Sequence, residues 1–500
     1  MNPPDLNNIR IYQKLGSVDA KALESCDQLL LILPAKPATS LFQKFPQGDK
    51  LHAVMRMAQP DSTPAFTTRL GNKKQTLVVG GTLEKDANAF DQLSLGRELV
   101  AAATGQKAGS LGICAIGFNA AEQAAIYNNM AAAALAAAFA MPTYKSKTAP
   151  PMIKSLRLIG ADESIDTSRT EAEAKGNNLA RWLASMPPNK LDAVSYADLI
   201  RKMSKDCGWS YKRFGTKELT KLGAGAFLAV AQGNDNDSAC IVRLRYRPQK
   251  KTVKADLSLV GKGIIFDTGG TNLKPFQSML DMHGDMQGSA VALGSFLTIS
   301  ELNLPLAVDC WLAITENRTG PNAYKSQDVV TAANGKTIQT VHTDAEGRMA
   351  LADALVLASR EEPGIIFDYA TLTGTCVSAI TTRYSGVFTN RPSLHPHLKR
   401  TGHNSGERVW PFPIGKEFME DLKSETADFM QCSPKGAGDH ILAASFLSEF
   451  IEKNTPWVHM DLSASDNDGG LAHVGSKFTG FGVRYTMSAI LDENLFKANI

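Results

Sequence analysis

An apolar run that stops at glycine is the feature that most constrains the fold of this chain. Residues 257–260 are mostly apolar and are followed at once by Gly261-Lys262-Gly263. A short apolar run bounded by glycine predicts a buried strand. Further apolar runs alternate with helical patterns, at 307–314 and 365–370 for the strands and at 290–300 and 347–359 for the helices. This alternation predicts an α/β fold with mixed, mostly parallel sheets flanked by helices.

The length of the chain predicts more than one core. At 500 residues it exceeds the size of an ordinary single domain. We expect an N-terminal α/β domain at 1–165, a linker helix at 166–191 and a second, larger domain at 192–500. Within the second domain, the short apolar run at 226–232 is predicted as a strand.

Composition excludes several classes of function. A net charge of +3 without a dense basic block argues against nucleic-acid binding. No apolar run approaches the ~20 residues of a membrane span, so no membrane partner is expected. The N-terminus lacks the apolar core of a signal peptide, and the seven dispersed cysteines contain no CxxC pair. These features predict reduced thiols and a cytoplasmic location, with a mitochondrial location as the alternative.

Seven charged residues between positions 257 and 348 each lie near a glycine-rich or small-residue turn. They are Lys262, Asp267, Lys274, Asp285, Asp344, Glu346 and Arg348. Taken alone, Asp344 and Glu346 are equally well explained as a helix cap with a surface ion pair. Their co-occurrence at strand ends of one α/β domain favours a site. Converging carboxylates repel one another, and two divalent ions would offset that repulsion, polarise a carbonyl and activate a water.

The two lysines of this set need separate explanations. Burial and a neighbouring cation both lower the pKa of an amine, so Lys262, between two glycines, is predicted as a neutral metal ligand. Lys274 is predicted to stay charged and to face a developing oxyanion. For either residue the alternative is a solvated surface lysine, which is the usual environment of this side chain.

Several segments together resemble the signatures of one family. GKGIIFDTGG, NLKP, HGDM and TDAEGR, with TLTG at 371–374 and WVHMDLS at 457–463, resemble those of the leucyl (cytosol) aminopeptidase family. The resemblance is strong in the C-terminal part of the chain and weak in the N-terminal part. It implies a two-domain subunit of a homohexamer that releases N-terminal amino acids from peptides by means of a metal-activated water.

The resemblance also implies a role for each of the seven residues. It implies two divalent ions per subunit, Zn or Mn. One ion would be bound by Lys262, Asp267, Asp285 and Glu346, and the other by Asp267, Asp344 and Glu346. Lys274 would stabilise the tetrahedral intermediate, and Arg348 would anchor a bicarbonate that acts as general base.

Other positions depart from the family pattern. Thr268 replaces the usual Ser, His342 the usual Asn, and Asp439 stands where a small residue is common. The pocket for the first side chain is expected to be lined by Met282, Thr371, Gly374, Ser463 and Asp466. The last of these is usually apolar, and a buried carboxylate penalises a leucine side chain. Asp466 therefore predicts either a preference for basic or polar first residues or a pocket that has lost its function.

Two other functions compete with a dimetal aminopeptidase. One is a structural oligomer that keeps the fold with weakened catalysis, as in divergent members of the insect sperm type; the intact set of seven residues argues against complete loss of activity. The other is a two-metal phosphatase or nuclease. It would require histidine ligands and a basic substrate channel, which the sequence does not provide.

Overall fold

Contacts divide the chain into two compact units. The computed structural model describes residues 4–6, 9–57, 62–105, 109–147, 153–234, 237–248 and 254–495. The first unit contains residues 5–175 and 468–477, and the second contains residues 1–4, 176–467 and 478–500. The change of unit at residue 175 falls inside a helix, α6 (Ser168–Ala184). The predicted division at 165 and 191 stays a prediction.

Within its described residues, the first unit contains one six-stranded sheet. Its strands are β1 (Arg10–Leu15), β2 (Gln28–Pro34), β3 (Phe66–Arg69), β4 (Leu77–Leu83), β5 (Ser110–Ala115) and β6 (Ser155–Ala161). They lie in the order β1-β6-β5-β2-β4-β3, and every pair except β3–β4 is parallel. Strands β2, β4 and β5 are almost entirely apolar and buried, as expected of central strands covered on both faces.

Five further helices belong to the described part of the first unit. They are α1 (Ala20–Glu24), α2 (Thr39–Gln43), α3 (Gly48–Arg56), α4 (Ala89–Thr104) and α5 (Ala120–Ala138). Reciprocal capping bonds fix the starts of the two long helices, between Asn88 and Asp91 for α4 and between Asn119 and Glu122 for α5.

The second unit is built on a mixed sheet. Its strands are β7 (Ser210–Gly215), β8 (Cys240–Tyr246), β9 (Leu257–Asp267), β10 (Val308–Asn317), β11 (Val329–Thr331), β12 (Thr337–Gln339), β13 (Ile365–Ala370), β14 (Ser385–Thr389), β15 (Val409–Pro411), β16 (Phe429–Met430) and β17 (Trp457–Asp461). In the described ranges, eight of them form one sheet in the order β15-β14-β17-β13-β9-β10-β8-β7. The central strands β17, β13, β9 and β10 are parallel, so their carboxyl ends lie at one edge.

The described residues of the second unit also form α-helices. They are α7 (Ala193–Asp206), α8 (Thr216–Lys221), α9 (Gly225–Ala231), α10 (Phe276–Met279), α11 (Gln287–Glu301), α12 (Glu346–Arg360), α13 (Gly374–Ile380), α14 (His395–Ser405), α15 (Lys416–Met419), α16 (Asp439–Ser448) and α17 (Val483–Leu491). Helix α11 approaches the sheet closely, because a Cβ at Gly288 would lie 2.1 Å from the carbonyl oxygen of Tyr369. The α/β class predicted from the sequence is confirmed.

Two predicted elements differ from the structure. The strand predicted at 257–260 is longer than expected, because β9 continues through Gly261 and Gly263 to Asp267. The apolar run at 226–232 forms most of helix α9, not a strand. A seven-residue apolar run has no periodicity that separates helix from strand. What fixes the helix is a distant partner, since the backbone N–H of Phe227 in its first turn donates to the carboxylate of Asp353 on α12 at 2.8 Å.

Two predictions about the whole chain can be compared with the structure. The seven cysteines are thiols and form no disulfide with one another. Among the described residues, no helix combines the length and the apolar character needed to cross a bilayer.

Candidate metal centre and substrate cleft

The carboxyl ends of the four central strands carry polar side chains to one edge of the sheet. Asp267 ends β9, and Asn317, its register partner, ends β10. Thr371 directly follows β13, and Asp461 ends β17. Helix α12 begins at Glu346 beside them. Sites of α/β sheets form at this edge because the chain leaves each parallel strand there.

Three carboxylates meet at this edge. Oxygens of Asp267, Asp344 and Glu346 all lie within 4.8 Å of one another. Asp267 and Glu346 are buried, whereas Asp344 is half-buried on the turn before α12. A group of buried and half-buried carboxylate oxygens at such separations has the donor chemistry that divalent cations require. The residues present therefore fit a metal centre.

Lys262 links this cluster to a fourth carboxylate. Its Nζ lies 2.8 Å from Asp285 and 3.1 Å from Glu346, and it donates to the carbonyl oxygen of Thr371 at 2.7 Å. The hydroxyl of Thr371 donates in turn to Asp285 at 2.7 Å. A Cβ at Gly347 would lie 2.6 Å from Cε of Lys262, so the glycine of the TDAEGR segment provides the space for this lysine.

Lys274 contacts the other side of the cluster. Its Nζ lies 2.9 Å from Asp267 Oδ2 and 2.5 Å from Asp344 Oδ1. Burial lowers the pKa of Lys274, but the two carboxylates outweigh it and leave this pKa above its usual value. The carboxylates therefore favour the ammonium form of Lys274, and its role towards an oxyanion stays a prediction.

Burial shifts the ionisation of the neighbouring groups. It raises the pKa of Asp285 to about 7, with Lys262 opposing the rise and Glu346 adding to it. Burial alone would lower the pKa of Lys262. The carboxylates of Asp285, Glu346 and Asp267 raise this pKa by a larger amount, so the net pKa lies above the usual value. These carboxylates favour the ammonium form. The neutral form predicted for Lys262 therefore requires a cation beside it.

Two residues of the site were not found from the sequence. Asn317 donates to Asp267 at 2.7 Å and to the carbonyl oxygen of Thr343 at 3.0 Å. Gln431, fully buried, donates to the carbonyl oxygen of Ala345 at 2.9 Å and accepts from the backbone N–H groups of Val341 and His342. A polar residue at the end of β10 was a usable signal for Asn317, whereas a single glutamine far along the chain gave no signal.

Two of the departures noted in the sequence concern hydrogen bonds around the cluster. His342 is exposed, and its Nδ1 accepts from the backbone N–H of Asp344 at 3.3 Å. The hydroxyl of Thr268 donates to the carbonyl oxygen of Asn317 at 2.9 Å, a bond that serine would also supply. Both residues contact the chain around the cluster rather than joining it.

Arg348 binds Asp439, the third position that departs from the family pattern. Its guanidinium is buried and donates from Nη1 to Asp439 Oδ1 at 2.9 Å and from Nη2 to Asp439 Oδ2 at 2.6 Å. Nη1 also donates to the carbonyl oxygen of Gln431 at 3.2 Å. Burial lowers the pKa of Arg348, but Asp439 outweighs it and the net shift is upward. The anion partner of Arg348 is therefore a side chain of the same chain.

A cleft of about 300 Å³ opens over these groups. All seven charged residues of the sequence-based set line it, and so do all five residues predicted for the side-chain pocket: Met282, Thr371, Gly374, Ser463 and Asp466. Asp466 is half-buried, and no atom of the described residues lies within 4 Å of where a Cβ of Gly374 would be. The cleft thus brings the seven charged residues together with the five residues predicted for the pocket.

Comparison with known proteins agrees with this arrangement. The family model described as "Cytosol aminopeptidase family, catalytic domain" matches residues 178–487. A probable cytosol aminopeptidase of Parasynechococcus marenigrum is 35% identical over 463 residues, which cover 91% of this chain and 94% of that protein. One from Synechococcus sp. strain CC9605 is 36% identical over 470 residues, with the same coverage of 91% and 94%.

Two solved structures share the fold. A mutant of tomato leucine aminopeptidase superposes with a TM-score of 0.85 at 25% identity, covering 98% of both chains. The bottromycin maturation enzyme BotP in complex with Mn superposes with a TM-score of 0.80 at 27% identity, covering 94% of this chain and all of that one.

The fold and the cleft define a metal-dependent exopeptidase, a hydrolase of peptide bonds at a chain end. This chain belongs to the cytosol aminopeptidase family.

Proposed function

We propose that this aminopeptidase binds two divalent ions, Zn or Mn, and releases the first residue of peptides. The convergence of Asp267, Asp344 and Glu346 within 4.8 Å supports this proposal most directly. Asp285 and Lys262 adjoin the same cluster and supply further donors. A set of four carboxylates and one amine exceeds what a single ion requires of a protein.

The ligands divide into two groups. Lys262, Asp267, Asp285 and Glu346 would bind one ion, and Asp267, Asp344 and Glu346 the other. When bound, two such ions polarise a carbonyl and lower the pKa of a water. Asn317 holds the Asp267 carboxylate in place, and Thr371 holds that of Asp285. Such supporting hydrogen bonds keep the ligands oriented before substrate arrives.

Lys274 provides the electrostatic part of catalysis. Its ammonium is fixed by Asp267 and Asp344 and lies at the wall of the cleft. A fixed positive charge stabilises the oxyanion that develops when the peptide carbonyl is attacked, and it needs no reorganisation at that moment.

The pocket determines the choice of the first residue. Met282, Thr371, Gly374, Ser463 and Asp466 offer room for one side chain, and Asp466 places a carboxylate among apolar and small groups. A basic or polar side chain can offset that charge, whereas a leucine cannot. We therefore propose that basic or polar first residues are preferred over leucine.

Assembly and location are proposed from the family resemblance. A homohexamer is the expected assembly, and light scattering on the purified protein tests it. The cytoplasm is the expected compartment, supported by relatives that are named cytosol aminopeptidases. Mitochondria are the alternative, and imaging of the tagged chain separates the two.

The central experiment is hydrolysis of leucyl and arginyl amides by protein reloaded with Mn or Zn. Asp344→Ala removes one carboxylate from the cluster and should reduce turnover ~10²-fold or more. Asp162→Ala, at an exposed aspartate of the first unit, is the matched control and should leave turnover unchanged. The metal content of all three proteins is measured in parallel.

The outcomes separate the two functions kept open from the sequence. Metal-dependent turnover that is lost in Asp344→Ala and kept in Asp162→Ala supports the proposed enzyme. Folded, metal-loaded protein without turnover on any aminoacyl amide would favour a structural oligomer with weakened catalysis.

A further inference from the structure

A buried arginine in the cleft forms an ion pair with an aspartate of the same chain. Arg348 is about 1% exposed and lines the cleft two residues after Glu346. Both of its terminal nitrogens donate to the two oxygens of Asp439, at 2.9 and 2.6 Å. A guanidinium fork is a general receptor for planar anions because its parallel N–H groups match two oxygens of one ligand. Here a side chain of the protein fills that receptor.

The position of Asp439 is fixed on both sides. It is the first residue of helix α16, where the helix dipole favours a negative charge. The next residue, His440, is held by Thr375, which accepts from the backbone N–H of His440 at 2.9 Å. Thr375 follows Gly374 of the side-chain pocket. Asp439 is therefore fixed by Arg348, which lines the cleft, and through His440 by α13.

The pair leaves one side of the carboxylate open to solvent. The Asp439 side chain is 22% exposed, whereas that of Arg348 is 2% exposed. A soluble anion would have to displace a carboxylate that is tethered to the same chain. Tethered groups compete at effective concentrations in the millimolar range or far above, and this one needs no diffusion to reach its partner.

We propose that Asp439 is the resident anion of this site, which makes the enzyme independent of bicarbonate or any other small soluble carboxylate. Asp439 acts through Arg348 as a positioning residue: it neutralises the guanidinium and fixes it beside the turn that carries Asp344 and Glu346. The consequence for catalysis rests on the proposed aminopeptidase function, whereas the occupancy of the anion site does not.

The first test measures anion binding without turnover. Metal-free protein is titrated calorimetrically with sodium bicarbonate and with sodium formate, and sodium chloride keeps the ionic strength constant. We expect no binding by the wild type. Asp439→Ala empties the fork and should bind both anions with a millimolar dissociation constant, and each anion should raise its melting temperature. The matched control, Asp421→Ala at an exposed aspartate, should behave as the wild type.

The second test measures the consequence for activity. In carbonate-free buffer, turnover by the metal-loaded wild type should not change when bicarbonate is added. Turnover by Asp439→Ala should fall at least tenfold and recover severalfold on addition of bicarbonate, a rescue that a purely structural defect would not show. If Asp439→Ala does not fold, Asp439→Asn, which keeps the side-chain volume, takes its place in both tests.

Either of two results would overturn the proposal. One is binding of bicarbonate to the wild type at the concentrations that saturate the variant. The other is a folded variant that neither binds the anions nor responds to them. Absence of turnover in the wild type under all conditions would instead count against the aminopeptidase proposal, because the calorimetric test of the anion site needs no activity.

Discussion

The two units differ in the side chains that lie near the carboxyl ends of their parallel strands. Each has central parallel strands whose carboxyl ends border a cavity, of about 420 Å³ in the first unit and about 300 Å³ in the second. The described strands of the first unit contain no Asp, Glu or His, whereas strands β9, β13 and β17 of the second carry Asp267, Asp368, His459 and Asp461.

The lesson of this comparison is that topology alone does not make a site. The larger cavity is lined by surface charges such as Lys36, Glu84 and Lys85, and its Glu122 serves to cap α5. The smaller cavity is lined by buried charged side chains that form ion pairs with one another. Burial of charge costs free energy, so such a cluster favours a functional site at this edge of the sheet.

The largest expected difference between the units concerns lysine. Lys274→Met removes the fixed ammonium and should lower kcat by about 10²–10³-fold, because one preorganised charge at the oxyanion is lost. The control, Lys85→Met at the cavity of the first unit, should leave kcat unchanged. Steady-state kinetics at matched metal content compares them, and equal kcat values for both variants would remove Lys274 from the mechanism.

Asparagine provides the next comparison. Asn317→Ala removes the hydrogen bond that orients Asp267 and should weaken metal binding by about 10–100-fold. Asn128 makes comparable bonds in the first unit, to Ala124 and Thr170, and Asn128→Ala should not affect metal affinity. Competition with a chelator measures both. Unchanged affinity in Asn317→Ala would show that the carboxylate is positioned without this bond.

A smaller effect is expected on specificity. Asp466→Met removes the carboxylate from the pocket and should raise the ratio of leucyl to arginyl amide cleavage about tenfold, since a half-buried charge no longer disfavours the apolar side chain. Glu84→Met, at the cavity of the first unit, serves as control. An unchanged ratio in Asp466→Met would mean that Asp466 does not contact the first residue.

The smallest effect concerns the pH dependence of stability. His459 and Asp368 face each other on β17 and β13, fully buried, with Nδ1 and Oδ1 at 2.6 Å. Burial lowers the pKa of His459, but Asp368 outweighs it, so the net shift is upward. A histidine with a raised pKa stabilises the fold fully below its unfolded value of about 6.5 and loses that contribution as the pH rises through the folded value.

This pair has no counterpart in the strands described for the first unit. The wild type should lose on the order of 1 kcal/mol more free energy of unfolding than His459→Gln between pH 6 and pH 9, because glutamine offers Asp368 a donor that does not titrate. Urea melts at several pH values measure this difference. Parallel pH profiles for the two proteins would show that the pair does not ionise within this range.

The sequence predicted those parts of the site that are local. In the sequence, each of the seven charged residues stands beside a predicted strand end or glycine turn, and this proximity was the basis for placing them at one edge of the sheet. Helix α12, which carries Glu346, was predicted to within one residue at each end. The strand predicted at 257–260 instead runs through Gly261 and Gly263 to Asp267, so Lys262 lies inside β9.

What depends on a distant partner was not predicted. The run at 226–232 is helical because Asp353, over a hundred residues away, accepts from its first turn. Gln431 donates to the turn before α12 from 86 residues away along the chain. The pair of Arg348 and Asp439 joins two positions that the sequence had marked separately, and only the fold shows that they meet. Such contacts depend on tertiary packing, which a pattern along the chain does not encode.

The lysines of the cleft have a consequence for how the protein matures. Four carboxylates share Lys262 and Lys274 as counter-ions, which leaves two excess negative charges when all are ionised. Small zinc domains fold only when the ion binds, because no other group offsets the charge of their ligands. In this protein, Lys262 and Lys274 offset part of the charge of the carboxylates. Folding can therefore precede metal binding, and an entering ion would replace lysine contacts of the carboxylates at a site that has already formed.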